Sequence, residues 1–147
     1  MRQVMLQLFG VVVCLALSAG VSVACTCMHM RGDPDAAFKT ASTVFSGKVL
    51  KITEGKSSMP ASGVRELVVK FRVEKSWKLI RKDEVIVVTL NTSNLCGFPF
   101  EIGERYLVYA VGGGSKFMTD ICSRTTQAPG AKEDLDYLSR KRLIKGK

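Results

Sequence analysis

Leu67-Val68-Val69-Lys70-Phe71-Arg72-Val73-Glu74 decides the fold class of this chain. Leu67, Val69, Phe71 and Val73 alternate with Val68, Lys70, Arg72 and Glu74, so side chains two apart form a single apolar face. A period of two belongs to a strand with one side on a core. Before it, Val44-Phe45-Ser46-Gly47-Lys48-Val49-Leu50 reads as an earlier strand, its glycine marking a bulge or sharp bend. Ser57 to Gly63 reads as a flexible loop between the two. After it, Val85 to Leu90 is apolar on both faces and so reads as a central strand, as does Tyr106 to Val111. Phe117 to Ile121 supplies a fifth strand, and Gly112-Gly113-Gly114 makes the turn that joins the last two as a hairpin.

Two helices flank these strands. Asp33-Pro34 supplies an N-cap and a proline at the first helical position, opening a short helix through Ala41. Ala131 to Leu143 forms the second, with Glu133, Asp134 and Asp136 early and Arg140, Lys141 and Arg142 late, as the helix dipole favours. Leu135 and Leu138 are expected to face the core, Glu133 and Asp134 the solvent, and Lys145 to Lys147 to form a frayed basic tail. Five short strands with helices only at the ends predict a mainly β fold, a five-stranded OB-fold-like barrel with two flanking helices.

The start of the chain reads as an export signal. Arg2 provides a positive beginning, Leu6 to Leu17 an apolar stretch, and Ser22-Val23-Ala24 the small residues that a signal peptidase reads. The apolar stretch falls short of the roughly 20 residues of a membrane span. Residues 1–24 are therefore expected to be a signal peptide, leaving residues 25–147 as one domain with a modest core. A competing reading is a lipoprotein signal, in which the cysteine after the cut is acylated; Ser22 stands where such signals place a large aliphatic residue. The expected location is secreted or extracellular, or the periplasm or envelope if the source is bacterial.

Cys14 leaves with the signal, and Cys25, Cys27, Cys96 and Cys122 remain. An even count in an exported domain reads as two disulfides, with three pairings open. Cys25 and Cys27 are too close to bridge each other, so each reaches a distant partner. A loop of roughly 70 to 100 residues closed in this way is worth about 4 kcal/mol in the chain-entropy model. Without Arg2 the charge is 21 Lys plus Arg against 13 Asp plus Glu, a formal +8. In an exported protein this points to anionic polysaccharide, a membrane surface or an acidic protein, and away from nucleic acid.

Catalysis finds no support in the sequence. A single histidine, His29, with no clustered carboxylates and no activated nucleophile, makes neither triad nor dyad, so the protein is read as a non-enzyme with no cofactor. Cys25, Cys27 and His29, flanked by Met28 and Met30, have the donor chemistry of a soft-metal site, but exported cysteines are normally oxidised. Lys78, Arg81 and Lys82 beside Trp77 have the composition of a basic-aromatic patch; Trp77 is expected to be half-buried at a strand end. Arg31-Gly32-Asp33 spells an integrin-recognition tripeptide, yet Asp33 already serves as a cap.

Cys25-Thr26-Cys27 behind the expected cut begins an ordered series. It continues through Ala37-Phe38, Val44 to Val49, Ser76-Trp77-Lys78, Cys96-Gly97-Phe98, Tyr106-Leu107-Val108 and Cys122-Ser123. The series resembles the inhibitory domain of the tissue inhibitors of metalloproteinases (TIMPs) and, more widely, the netrin-like modules, which share an OB-fold barrel. The resemblance covers nearly all of residues 25–147. It implies disulfides Cys25–Cys96 and Cys27–Cys122, and a zinc metalloprotease as partner. The free amine and carbonyl of Cys25 would chelate that protease's catalytic zinc at the position normally held by water. Thr26 would enter the primed-side pocket, Met28 and His29 would follow the cleft, and Asn94 and Leu95 beside Cys96 would flank the chelating end. This chain departs from the animal inhibitors in lacking their third disulfide and second cysteine-rich domain. Met28-His29-Met30-Arg31 replaces their proline-rich continuation. A netrin-like binding module without inhibitory activity is the alternative.

Overall fold

The computed structural model describes Cys25, Cys27 and residues 32–59, 63–91, 96–114 and 116–141, with the backbone alone for 57–59. Among these, helix α1 (Pro34–Thr40) precedes six strands, and helix α2 (Lys132–Leu138) follows them. The strands are β1 (Thr43–Met59), β2 (Val64–Lys78), β3 (Glu84–Leu90), β4 (Arg105–Gly113), β5 (Lys116–Met118) and β6 (Thr126–Gln127). They lie in the order β1-β2-β3-β5-β4, and β4 pairs back onto β1, so five strands form a ring. The β3–β5 pair is parallel and the other pairings are antiparallel. Strand β6 pairs with Tyr106 and Leu107 of β4. The fold is mainly β, as the alternation in β2 predicts.

The ring closes because its inner face is apolar all the way round. Val69 and Phe71 of β2 are fully buried with Phe45, Val49, Val87 and Val108 from the other long strands. Aromatic rings hold the centre edge to face: Phe45–Phe71 at 5.5 Å, Phe71–Phe100 at 5.2 Å and Phe100–Tyr106 at 4.9 Å between centroids. Each such side chain buried contributes about 1.5–3 kcal/mol. Strands β1 and β4 are covered outside as well. Val44, Leu107 and Tyr109 turn outward into a second cluster with Trp77, Ala41, Ala131 and Leu138, packed by Phe38 of α1 and Tyr137 of α2. This explains the unbroken burial from Tyr106 to Ala110. Trp77, expected to be half-buried, is enclosed here at 8% exposure.

Gly47 bulges as the sequence suggests. The register with β2 jumps between Ser46 and Gly47, and a Cβ on Gly47 would lie 2.5 Å from the Arg72 carbonyl oxygen. Several boundaries differ from expectation. Strand β1 continues to Met59 instead of yielding to a loop at Ser57, because β2 starts early enough to pair Glu54 with Leu67 and Met59 with Val64. The expected fifth strand, Phe117 to Ile121, stops at Met118. Asp120 causes the stop: its carboxylate accepts from the amides of Cys122 and Ser123, both at 2.9 Å, and turns the chain. The second helix ends at Leu138, not Leu143. Arg140 donates to the Tyr137 carbonyl and Lys141 to the Leu138 carbonyl, three-residue bonds that tighten the end out of α geometry. Leu138 is buried, but Leu135 is 37% exposed, contrary to its expected place in the core. Strand β3 is central as expected, though Ile86 on its outer side is 45% exposed. No described helix is long and apolar enough to cross a membrane.

Candidate functional site

Beyond the C-terminal end of β3 the chain reaches Cys96, whose φ of 66° lies in the left-handed region that non-glycine residues rarely adopt. Its carbonyl accepts from the Ile121 amide at 2.9 Å, which brings the turn after β5 alongside. That turn carries Cys122. A cluster of hydroxyls fastens it to β4: Thr119 and Thr125 donate to the Tyr109 carbonyl at 2.9 and 3.0 Å, and the Tyr109 amide donates to Thr125 Oγ1 at 3.0 Å. These bonds set two cysteine anchors, Cys96 and Cys122, side by side.

Cys25 and Cys96 stand at disulfide distance, with 5.4 Å between their Cα atoms, and Cys27 and Cys122 do so with 5.1 Å. These are the pairs that the resemblance implies. The two bridges touch, since Cys25 Sγ lies 3.7 Å from Cys122 Sγ. The Sγ atoms of Cys25, Cys96 and Cys122 all fall within 4.8 Å of one another, the spacing of a metal site. With every one of these sulfurs in a bridge, no thiolate is left to ligate, so the oxidised cluster serves as a clamp. Cys25 itself is half-buried, bridged to Cys96 two residues from a second bridge.

A third tether was not legible in the sequence. Asp134, expected on the solvent face of α2, is 4% exposed, whereas the Glu133 side chain remains 71% exposed. Arg124 grips Asp134 with both ends of its guanidinium, Nε to Oδ1 and Nη2 to Oδ2, each at 2.7 Å. It also reaches Glu133 at 2.6 Å and donates to the Gly32 carbonyl at 2.5 Å. The Tyr109 hydroxyl donates to Asp134 Oδ1 at 2.8 Å. Burial, then the bond to Asp134, pushes the Tyr109 phenol well above its ordinary range; the bond to Asp134 chiefly raises the Arg124 guanidinium. Arg124 lies two residues past Cys122 and holds Gly32, while Cys122 holds Cys27. Residues 27 and 32 are thus pinned to one short stretch. The available signal was Tyr109 itself: a tyrosine in a fully buried run needs a partner for its hydroxyl.

Helix α1 completes the mounting. Asp33 caps it by accepting from the Asp35 amide at 3.1 Å, as expected. Lys78 closes the other end, its ammonium donating to the carbonyls of Phe38 at 2.9 Å, Lys39 at 3.2 Å and Ala41. With Lys78 so engaged and Trp77 packed at the strand end, the basic-aromatic patch that Trp77, Lys78, Arg81 and Lys82 could compose does not form. Tyr137 ties α1 to α2 by donating to Asp35 at 2.7 Å, and the Asp35 carboxyl is held below its ordinary range by its bonds to Lys39 and Tyr137. Of the expected site residues, Cys25, Cys27, Cys96 and Cys122 are brought together. Thr26, Met28, His29, Asn94 and Leu95 lie outside the described residues, as do the expected signal at 1–24, Arg31 and the basic tail. No family model matches the chain, and no curated protein matches it.

Proposed function

We propose that this chain is an exported inhibitor of zinc metalloendopeptidases that acts through the main chain of Cys25. The observation that carries the reading is the double clamp: Cys25 bridged to Cys96, and Cys27 bridged to Cys122, with the two bridges in contact. In the full chain the Cys25 nitrogen belongs to a peptide bond. A cut after Ala24 converts it to an α-amine beside the Cys25 carbonyl, a pair that closes a five-membered ring on a metal. Catalytic zinc sites keep one position open for water, and such a pair fills it. The amine binds once its proton leaves; with a reference value near 8, zinc contact achieves this around neutral pH. Because the two bridges hold Cys25 and Cys27 before any encounter, little conformational freedom of these two residues is lost on binding.

The same reading takes the ring as an OB-like barrel. The closed order β1-β2-β3-β5-β4-β1, with β3 parallel to β5, supports it, as does the bend at Gly47. On the family resemblance, Thr26, Met28 and His29 would follow the protease's cleft, and Asn94 and Leu95 would flank the chelating end. The formal charge of +8 that remains without Arg2, 21 Lys plus Arg against 13 Asp plus Glu, favours a second reading, a netrin-like binding module for an anionic surface. Retention on an anionic matrix that disappears in modest salt supports that module; failure to bind any such matrix at low salt removes it.

The test of the inhibitor reading is an assay on protein exported with its own signal, after mapping of its N-terminus. The expected result is a start at Cys25, a free amine and saturable inhibition of zinc endopeptidases. A blocked amine, another start, or no inhibition across a broad panel sinks the proposal.

A further inference from the structure

At the opposite end of β3 from the cysteines, the chain leaving β2 and the β4–β5 turn enclose an open groove of about 620 Å³. Small-ligand sites run from about 300 to 1,000 Å³. Ile80 and Phe117, both buried, form the floor, and Leu79 and Ile86 form the walls at 55% and 45% exposure. Leu79 is the telling residue. Its φ of 72° is a conformation that costs a non-glycine side chain on the order of 1 kcal/mol, yet more than half of its surface stays in water. Folding gains little from a leucine held in this way.

The polar lining is selective. Glu84, the acid of the groove, is taken by Lys70 at 2.6 Å. Among the described residues Arg81 and Lys82 are exposed and have no ion-pair partner, so two cations stand free beside the apolar wall. We propose that this groove binds a single-chain anionic amphiphile, a carboxylate on an unbranched apolar body. Arg81 and Lys82 hold the head, and Leu79, Ile86 and Phe117 line the chain. The concave shape favours one acyl chain over a bilayer, which a protein meets with a protruding apolar face and more than two bases. The proposal stands apart from the inhibitor reading, at the other end of the ring.

The probe is dodecanoate below its micellar concentration, titrated calorimetrically into the full exported chain. Saturable binding with a negative heat-capacity change is expected. Dodecyltrimethylammonium should bind at least roughly tenfold more weakly, and the double variant Arg81→Ala/Lys82→Ala should lose roughly tenfold for dodecanoate. Leu79→Gly, whose backbone suits glycine, should weaken binding several-fold with an unchanged or higher Tm. Equal affinity for the cationic amphiphile overturns the proposal, as does full binding by the double variant. So does an absence of dodecanoate binding, or binding confined to phosphatidylglycerol vesicles.

Discussion

Replacing Asp134 by alanine strands the Arg124 guanidinium and the Tyr109 hydroxyl in a place from which water is largely excluded. Breaking a buried pair in this way costs about 3 kcal/mol, so chemical denaturation of D134A should show a loss of that order. Tyr109→Phe removes one bond to a charged acceptor and should cost about 1.5 kcal/mol near neutral pH. Its pH dependence has a definite sign. The phenol is raised in the folded state above its ordinary 10.0, so its contribution is complete below that pH and lost as pH climbs toward the folded value. Stability of the native chain should therefore decline above about pH 10 more steeply than that of Y109F. Matching alkaline limbs would contradict this. Asp134 was misread because acids in a first helical turn ordinarily face water and the dipole. Its burial comes from Arg124, ten residues away on a loop whose path local pattern does not encode.

Strand β2 was legible because Val69 and Phe71 are buried on one face, with Leu67 and Val73 partly so, and burial on one face writes itself as alternation. The far half of β1 was not. From Thr53 on, its pairings are with β2, beyond the ring, and Thr53, Glu54 and Lys56 are exposed, so no apolar alternation marks the strand and the sequence from Ser57 reads as loop. Strand β5 is expected over Phe117 to Ile121 and keeps only the beginning of that range, while β6, with two residues, is too short for any periodicity to register. The end of α2 was obscured for another reason: Arg140 and Lys141 suit a helix C-terminus by charge, but the backbone has already tightened there. Lys78 shows what an element end requires. Lys78→Ala releases three carbonyls at the end of α1, and should lower stability by about 1–2 kcal/mol while speeding hydrogen exchange in residues 34–40. Unchanged exchange there would mean that Phe38 packing alone holds the helix.

At the scale of the whole molecule, both bridges join the beginning of the described chain to its far side, across separations of 71 and 95 residues. The Cys27→Ser/Cys122→Ser variant should lose about 4 kcal/mol in the chain-entropy model, visible as a lower Tm. It should also weaken inhibition, because residue 25 then hangs from a single bridge. The cysteine framework was legible from count and compartment, and its pairing was implied by family likeness. The contact between the two bridges and the third hold by Arg124 on Gly32 were not, since both depend on how β3, β4 and β5 meet in the ring. The most direct measurement compares inhibition of zinc endopeptidases by protein starting at Cys25 with protein carrying one added alanine before it. The account predicts that the added residue, which turns the amine back into an amide, abolishes inhibition while leaving Tm unchanged. Equal inhibition by the two forms would contradict it.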